Sequence, residues 1–337
     1  PMADGTAHSL ALFGTTVYAG GDFTSAGGVV SNKIAALNAV DGLATSWDPD
    51  ANGVINSLVI SNNTVYVGGN FTNIGGENRN NIAAIRISNG LATGWNPNAN
   101  RRVLSLAVSG DTIFAGGEFF SIGGENRSRL AALQISDGLA VNWNPNPDGT
   151  ILSIAVSGST VYAGGSFTQI GGETRNKLAA FRISDGSLTS WDPSANSRVE
   201  KLVVVDDLVY VGGHFTRIGE VFDGVSRRYI AAISTDSGMA TSWNPNAGNR
   251  VLALAVSDDI VYVGGSFRSI GGADRNFIAA INSNDGLATD WNPDANGQVF
   301  DLAVADGIVY AGGTFNIIGA EGGALRNNAG ALFADSG

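Results

Sequence analysis

The chain contains no cysteine, two histidines and two methionines, and only three of its 337 residues are lysines (Lys33, Lys177 and Lys201). Without a thiol there is no disulfide framework, no thiolate nucleophile and no thiolate metal site. Secretion stays open, because a domain of this length needs no staples. His8 and His214 are too few and too scattered to form a metal-ligand pattern. The Gly-x-Ser-x-Gly, His-Glu-x-x-His and phosphate-loop patterns are all missing. No apolar run approaches the ~18 residues that a membrane-spanning helix needs, and no basic-then-apolar leader opens the chain. Nineteen Lys+Arg against 30 Asp+Glu leave a formal charge of −11, which argues against nucleic acid as a partner. A sustained 3.6-residue apolar period with a cap is also lacking, so almost no helix is expected.

Glycine is abundant, with 47 residues, about twice the ~7% share of an average protein. It is also periodic. Glycine pairs begin at Gly20, Gly68, Gly116, Gly164, Gly212, Gly264 and Gly312, and the six tryptophans are Trp47, Trp95, Trp143, Trp191, Trp243 and Trp291. Both series step by 48 residues, with one step of 52. Such internal repetition overrides the two-domain prior that length alone would give.

Residues 101–148 show the content of one unit. Val103–Ser109 is a short, largely apolar run, and Gly110-Asp111 supplies a turn. A second β-rich run, Thr112–Phe119, carries the glycine pair, whose lack of side chains lets a neighbouring backbone or a large ring approach closely. Residues 121–128 read as a polar loop. Arg129–Ser136 is the third run, and Asp137-Gly138 reads as a two-residue hairpin turn. Leu139–Trp143 is the fourth, ended by Asn144-Pro145.

Four short antiparallel strands cannot bury both faces of their sheet alone, so the units must stack. An open stack requires polar capping repeats, and neither end of the array has one, which favours a closed ring. The reading is therefore all-β: a seven-bladed β-propeller of four-stranded blades filling residues 1–337 as one domain. Blades fall at approximately 1–48, 49–96, 97–144, 145–192, 193–244, 245–292 and 293–337. Extra residues lie around Gly219–Ser226 and Gly319–Ala324, and the last blade lacks its outermost strand, which exposes an edge.

Residues that recur in every complete copy are best explained by packing between blades. These are the tryptophan, the Tyr or Phe before the glycine pair and the Phe after it. A recurrent arginine (Arg79, Arg127, Arg175, Arg227, Arg275, Arg326; Ser31 in the first copy) reads as a carbonyl clamp or local ion pair with Glu77, Glu125, Glu173 and Asp274. The competing reading is a guanidinium ring that gathers an anionic polymer, which the net charge disfavours.

Function is better sought where one copy departs from the rest. With a two-residue turn at Asn62-Asn63, Asn70 is expected opposite Ile55, so the start of each inner strand and the residue after each glycine pair share one rim. This places His8, Asp22, Glu118, Glu200, Lys201, His214 and Asp301 around one mouth of the central channel, with Arg101, Arg102, Arg198 and Arg250 on adjoining loops. The expectation is a polar binding pocket there. Glu200 and Asp301 also allow a carboxylate pair for glycoside cleavage, a chemistry that depends on their separation. A second candidate is Asp48-Pro49-Asp50-Ala51-Asn52-Gly53, whose oxygens at alternate positions resemble calcium loops and make Asp48, Asp50 and Asn52 candidate calcium ligands.

The consensus (V/I)Y(V/A)GGxFTxIGGxxRNxIAA…DGLATxWNPNA resembles the delta-60 type β-propeller repeat of large bacterial secreted and cell-surface proteins, and more distantly kelch blades. Fungal cell-cortex polarity markers carry a similar repeat in their ectodomains. The resemblance spans essentially the whole chain. It implies an extracellular or cell-surface repeat module and supplies no catalytic residues. The expected function is a non-enzymatic binding or adhesion module for a glycan or protein ligand, built as a monomeric disc within a larger chain. The alternatives are a carbohydrate-active hydrolase or lyase, and a structural spacer.

Overall fold

The computed structural model describes residues 2–219, 224–319 and 325–335, so residues 220–223 and 320–324 of the two predicted loop expansions lie outside the described residues. The described chain has no helix; it holds seven three-stranded antiparallel sheets and six two-stranded ones. In the third blade the inner strand Val103–Ser109 pairs with the middle strand Thr112–Gly117, which pairs in turn with Leu130–Gln134. The same order repeats in every blade. The chain is a seven-bladed β-propeller.

The inner hairpin turns follow the sequence. Asn62 and Asn63 both take positive φ (47° and 58°), the conformation that a two-residue turn between twisted strands requires. The third-to-fourth connection differs from the expected two-residue turn. Gln134 N–H donates to the Leu139 carbonyl, so the loop is the four residues 135–138, closed by Asp137 Oδ1 accepting the Leu139 N–H at 2.9 Å. The predicted polar loop, residues 121–128, carries a small hairpin of its own, Ser121–Ile122 with Glu125–Asn126.

The fourth run lies where expected but contributes one antiparallel bridge per blade, as between Leu133 and Ala140. In five blades a Thr-x-Trp sequence accompanies the shortness, and in the third, which has Val141, the Trp143 N–H turns back to the Val141 carbonyl instead. Thr45 Oγ1 accepts the N–H of Trp47 at 3.2 Å, and this local bond turns the chain out of the ladder. The turn aims the indole into the seam. Trp47 meets Tyr18 of its own blade edge-on, with ring centroids 5.0 Å apart. Its Nε1 then donates 2.9 Å to the Arg86 carbonyl of the next blade.

Apolar clusters fill each seam between blades. One joins Phe114 and Trp143 of the third blade to Ile151, Phe167 and Phe181 of the fourth. The glycine pair sets the spacing. A Cβ on Gly116 would lie 2.5 Å from Ile151 Cγ2 of the next blade, and one on Gly117 would lie 2.2 Å from the Arg102 carbonyl of its own. Both approaches exclude any side chain, and the neighbour at the first glycine is an aliphatic group rather than a ring.

The ring closes on itself. Ala3 N–H donates to the Asn327 carbonyl at 2.9 Å, Asn328 Nδ2 donates back to the Ala3 carbonyl at 3.0 Å, and Leu10 packs in one cluster with Tyr310. No described helix is long and apolar enough to cross a membrane.

Candidate functional site

Each inner strand carries a β-bulge at its start, and this corrects the expected register. Asn70 stands opposite Val54, not Ile55, because the pairing jumps from Ile55↔Gly69 to Ser57↔Gly68 and leaves Asn56 as the extra residue. The same shift makes His8, Glu200 and Phe300 the bulged residues of their blades. An extra residue re-aims side chains, and in the fifth blade it brings three polar groups together.

Arg198 Nε lies 2.6 Å from Glu200 Oε1, His214 Nε2 lies 2.9 Å from the same oxygen, and Arg198 Nη2 lies 3.1 Å from His214 Nε2. The Arg198–Glu200 approach is a close charge contact without hydrogen-bond alignment, since Oε1 is buried and has no aligned donor. Burial pushes the Glu200 carboxyl up, and Arg198 and Arg250 pull it back. Burial, with the repulsion of Arg198 and Arg250, holds His214 at about 4, so its ring is neutral at neutral pH. With Glu200 Oε1 lacking an aligned donor, the hydrogen bond available to the neutral ring is the one it accepts at Nε2 from Arg198. Two guanidinium groups thus act on one carboxylate, which suits the mouth to an anionic group.

Lys201 and Asp301 form a second group. The Lys201 ammonium lies 2.8 Å from Asp301 Oδ1, and Asp301 Oδ2 accepts the Leu10 N–H at 2.8 Å. Asp301 is 5% exposed. With both oxygens engaged and out of water, it is poorly placed to exchange protons with a substrate. Four other blades use serine at this position. Ser9, Ser57, Ser105 and Ser153 each accept an inner-strand N–H of the following blade at 2.9–3.0 Å.

Of the remaining rim residues, Asp22 and Glu118 pair within their own blades, whereas His8 also meets a ring of the seventh blade. Asp22 pairs with Lys33 at 2.7 Å. Burial lowers His8, Asp22 partly offsets this, and the His8 ring lies 5.7 Å from Phe300. Glu118 takes a two-point contact from Arg102, at 3.0 and 2.6 Å. The seven predicted residues therefore share one end of the blades but divide into four groups.

Beside Arg102 the sequence reading missed a feature. Phe120 stands where Thr24, Thr72, Thr168 and Thr216 stand in other copies. The Arg101 and Arg129 guanidinium groups lie 4.9 and 4.7 Å from its ring centre. A groove of about 670 Å³ between the second and third blades, lined by Asn70, Asn80, Asn98, Asn100 and Arg101, opens near this stack. The break from threonine to phenylalanine was a visible signal.

The Asp48 loop has other tasks. Asn52 Oδ1 accepts the N–H groups of Thr72 and Asn73 at 2.9 and 3.0 Å, and Asp50 Oδ1 accepts from Asn32 Nδ2 at 2.8 Å. The position of Asn52 caps the small hairpin in other blades too. At Asp4 burial works to raise the carboxyl, but the bonds from Thr24 and Ser25 outweigh it and hold the group at about 2. Among the described residues no three His, Asp or Glu side chains converge on a metal position.

The recurrent arginines act as carbonyl clamps. Arg79 Nη2 donates 2.6 Å to Thr93 O and Arg127 Nη2 donates 3.0 Å to Val141 O, each reaching the fourth run of its own blade. Arg175, Arg227 and Arg275 make the same link. Their terminal nitrogens are thus engaged inside the blade, while each Nε is buried without a hydrogen-bond partner.

No curated protein matches the chain. Among solved structures, the WD40 β-propeller domain of Doa1 is similar, with a TM-score of 0.65, 11% identity, and coverage of 96% of this chain and 95% of that one. The computationally designed Ika8 protein aligns with a TM-score of 0.59 at 16% identity, over 98% of this chain and 97% of that one. At these identities the likeness concerns the fold alone. Residues 2–223, more than half of the chain, match a family model described as "Outer membrane protein assembly factor BamB". The chain belongs to that family of repeat propellers.

Proposed function

We propose that the chain is a non-enzymatic binding or scaffold module of the cell envelope or cell surface, and that it receives an acidic segment of a protein partner at the fifth-blade mouth of the channel. The observation that carries this reading is the departure from symmetry there. Arg198 and Arg250 act on the single Glu200 carboxylate beside a neutral His214, where the other blades place His8, Asn56, Leu104, Leu152, Leu252 and Phe300, none of them a carboxylate. The family description, which speaks of an assembly factor, supports a protein partner, and the delta-60 resemblance supports an extracellular setting. Asp301, engaged at both oxygens, weighs against the hydrolase alternative.

The test is binding of an acidic peptide (a Glu-rich decapeptide) and of a uronic-acid oligosaccharide to the protein and to Arg198→Ala/Arg250→Ala. Peptide binding that falls roughly tenfold in the double variant and weakens with salt supports the proposal. Preference for the oligosaccharide, or binding indifferent to both arginines, overturns it.

A further inference from the structure

The third blade departs from its neighbours at positions that meet around one ring. Arg101 stands where four other copies carry glycine (Gly5, Gly53, Gly149 and Gly297), Phe120 stands where four carry threonine, and Arg129 directly precedes the third strand. The two guanidinium groups lie 4.9 and 4.7 Å from the Phe120 ring centre, and Phe120 is 38% exposed. Among the described residues neither arginine pairs with a carboxylate; Arg129 Nη1 donates 2.9 Å to the Pro147 carbonyl. Stacking on the ring holds each flat guanidinium in place, which lowers the cost of ordering it on a ligand.

The stack stands between two grooves. Arg101 lines the groove of about 670 Å³ between the second and third blades, and Arg129 lines one of about 730 Å³ between the third and fourth. Both carry side-chain amides: Asn80, Asn98 and Asn100 in the first, Asn144, Asn146 and Gln169 in the second. The change from threonine to phenylalanine adds a donor to this lining. In the second and fifth blades, Asn52 and Asn196 spend Nδ2 on the hydroxyls of Thr72 and Thr216, at 2.8 and 3.0 Å. Phe120 offers no hydroxyl. Asn100 Oδ1 therefore keeps its capping bonds from the Phe120 and Ser121 N–H groups, at 2.8 and 3.2 Å, while its Nδ2 is left to the groove. The charges of the two linings balance, with Arg101, Arg102 and Arg129 against Glu118, Asp148 and Glu173.

We infer that these grooves bind a neutral, unbranched oligosaccharide that lies across Phe120, at a site separate from the fifth-blade mouth. Side-chain amides both donate and accept hydrogen bonds, which matches the hydroxyl groups of a sugar. The C–H face of a pyranose packs on the exposed part of the Phe120 ring, and the guanidinium N–H groups donate to hydroxyl and ring oxygens. The balanced lining favours an uncharged chain, because a polyanion would meet Glu118, Asp148 and Glu173 along the same path. A polypeptide takes its affinity from apolar anchors in pockets, and in the first groove Ala99 is the one apolar lining residue.

Titration calorimetry of the whole chain with cellohexaose, mannohexaose and chitohexaose tests this, with a hexagalacturonate and the Glu-rich decapeptide as contrasts. The expected result is one-to-one binding of a neutral hexasaccharide, roughly tenfold weaker in Phe120→Thr and several-fold weaker in Arg101→Gly. Both substitutions restore residues that other blades carry, so the parent Tm should be kept, and Phe120→Trp should retain the sugar. Arg198→Ala/Arg250→Ala should bind it as the parent does, which separates this site from the fifth-blade mouth. Four outcomes overturn the inference: no neutral hexasaccharide binds at millimolar concentration, binding ignores Phe120→Thr, binding is lost in Arg198→Ala/Arg250→Ala, or the hexagalacturonate or the decapeptide displaces the sugar.

Discussion

Lys201 of the fifth blade reaches past the sixth to place its ammonium 2.8 Å from Asp301 of the seventh. The pair interrupts a ladder in which serines link inner strands, and it ties together blades that are not neighbours. Its two members are unequally solvated: the Lys201 side chain is 32% exposed and that of Asp301 7%.

Lys201→Ser should therefore be costly, because it leaves the buried carboxylate with the Leu10 N–H as its remaining partner. A loss of roughly 3 kcal/mol is expected from the uncompensated charge. Lys201→Ser/Asp301→Ser restores the serine found in four other blades and should return stability to within about 1 kcal/mol of the parent. Urea unfolding of the two single variants and the double variant gives the coupling energy directly. Additive effects would show that the two charges do not depend on each other.

The glycine pair gives a steric prediction with a built-in control. Gly116→Ala drives a methyl to 2.5 Å from Ile151 Cγ2 across the seam, and such overpacking costs about 1–3 kcal/mol. Gly94→Ala meets nothing within 4 Å and has no positive φ, so a change within about 0.5 kcal/mol is expected. Equal effects in thermal unfolding would refute the seam argument.

Each indole serves its seam twice, by area and by one hydrogen bond, and the two parts can be separated. Trp143→Phe keeps much of the packing against Phe114 and Phe181 but removes the 3.0 Å bond to the Arg182 carbonyl. The carbonyl keeps the Gly186 N–H, so the loss is that of one net hydrogen bond, about 0.5–1.5 kcal/mol. Trp143→Ala also opens a cavity, for about 3–5 kcal/mol in all. Equal losses for Phe and Ala would make the hydrogen bond the whole contribution.

The repeat and the blade number were legible because each follows from spacing, and the closed ring because no repeat carries the polar face of a cap. Gly116, Trp143 and Phe167 recur at fixed offsets, and packing is the economical explanation of anything present in every copy. The register at the rim was not legible. A bulge adds a residue to one strand without altering the turn, so counting back from Asn62-Asn63 misplaced Asn70 by one position. The four-residue loop at 135–138 escaped for a related reason, since Asp137-Gly138 is equally at home at the end of a longer turn. The sequence did mark Lys201 and Asp301 as departures. That they meet depends on the curvature of the ring, which no local pattern encodes. Arg198 was placed on an adjoining loop, and only the bulge at Glu200 makes it the hub of its group.

That group also sets an acid response. His214 is held at about 4 in the fold against 6.5 for the free side chain, so the unfolded chain binds more protons between these values. Its contribution to stability is complete above about pH 6.5 and is lost as pH falls towards 4; His8, also lowered, acts in the same direction. Glu200 works against them. Its raised carboxyl binds protons more readily in the fold, so its contribution falls as pH rises above 4.5. His214→Gln should flatten the decline of stability from pH 6.5 to 4, leaving the share due to His8. Glu200→Gln should steepen it, because the opposing contribution is gone while Arg198 and Arg250 act on His214 unopposed. Urea midpoints for the three proteins across pH 4–8 decide the matter. A parallel decline in all three would mean that this cluster does not govern the acid response.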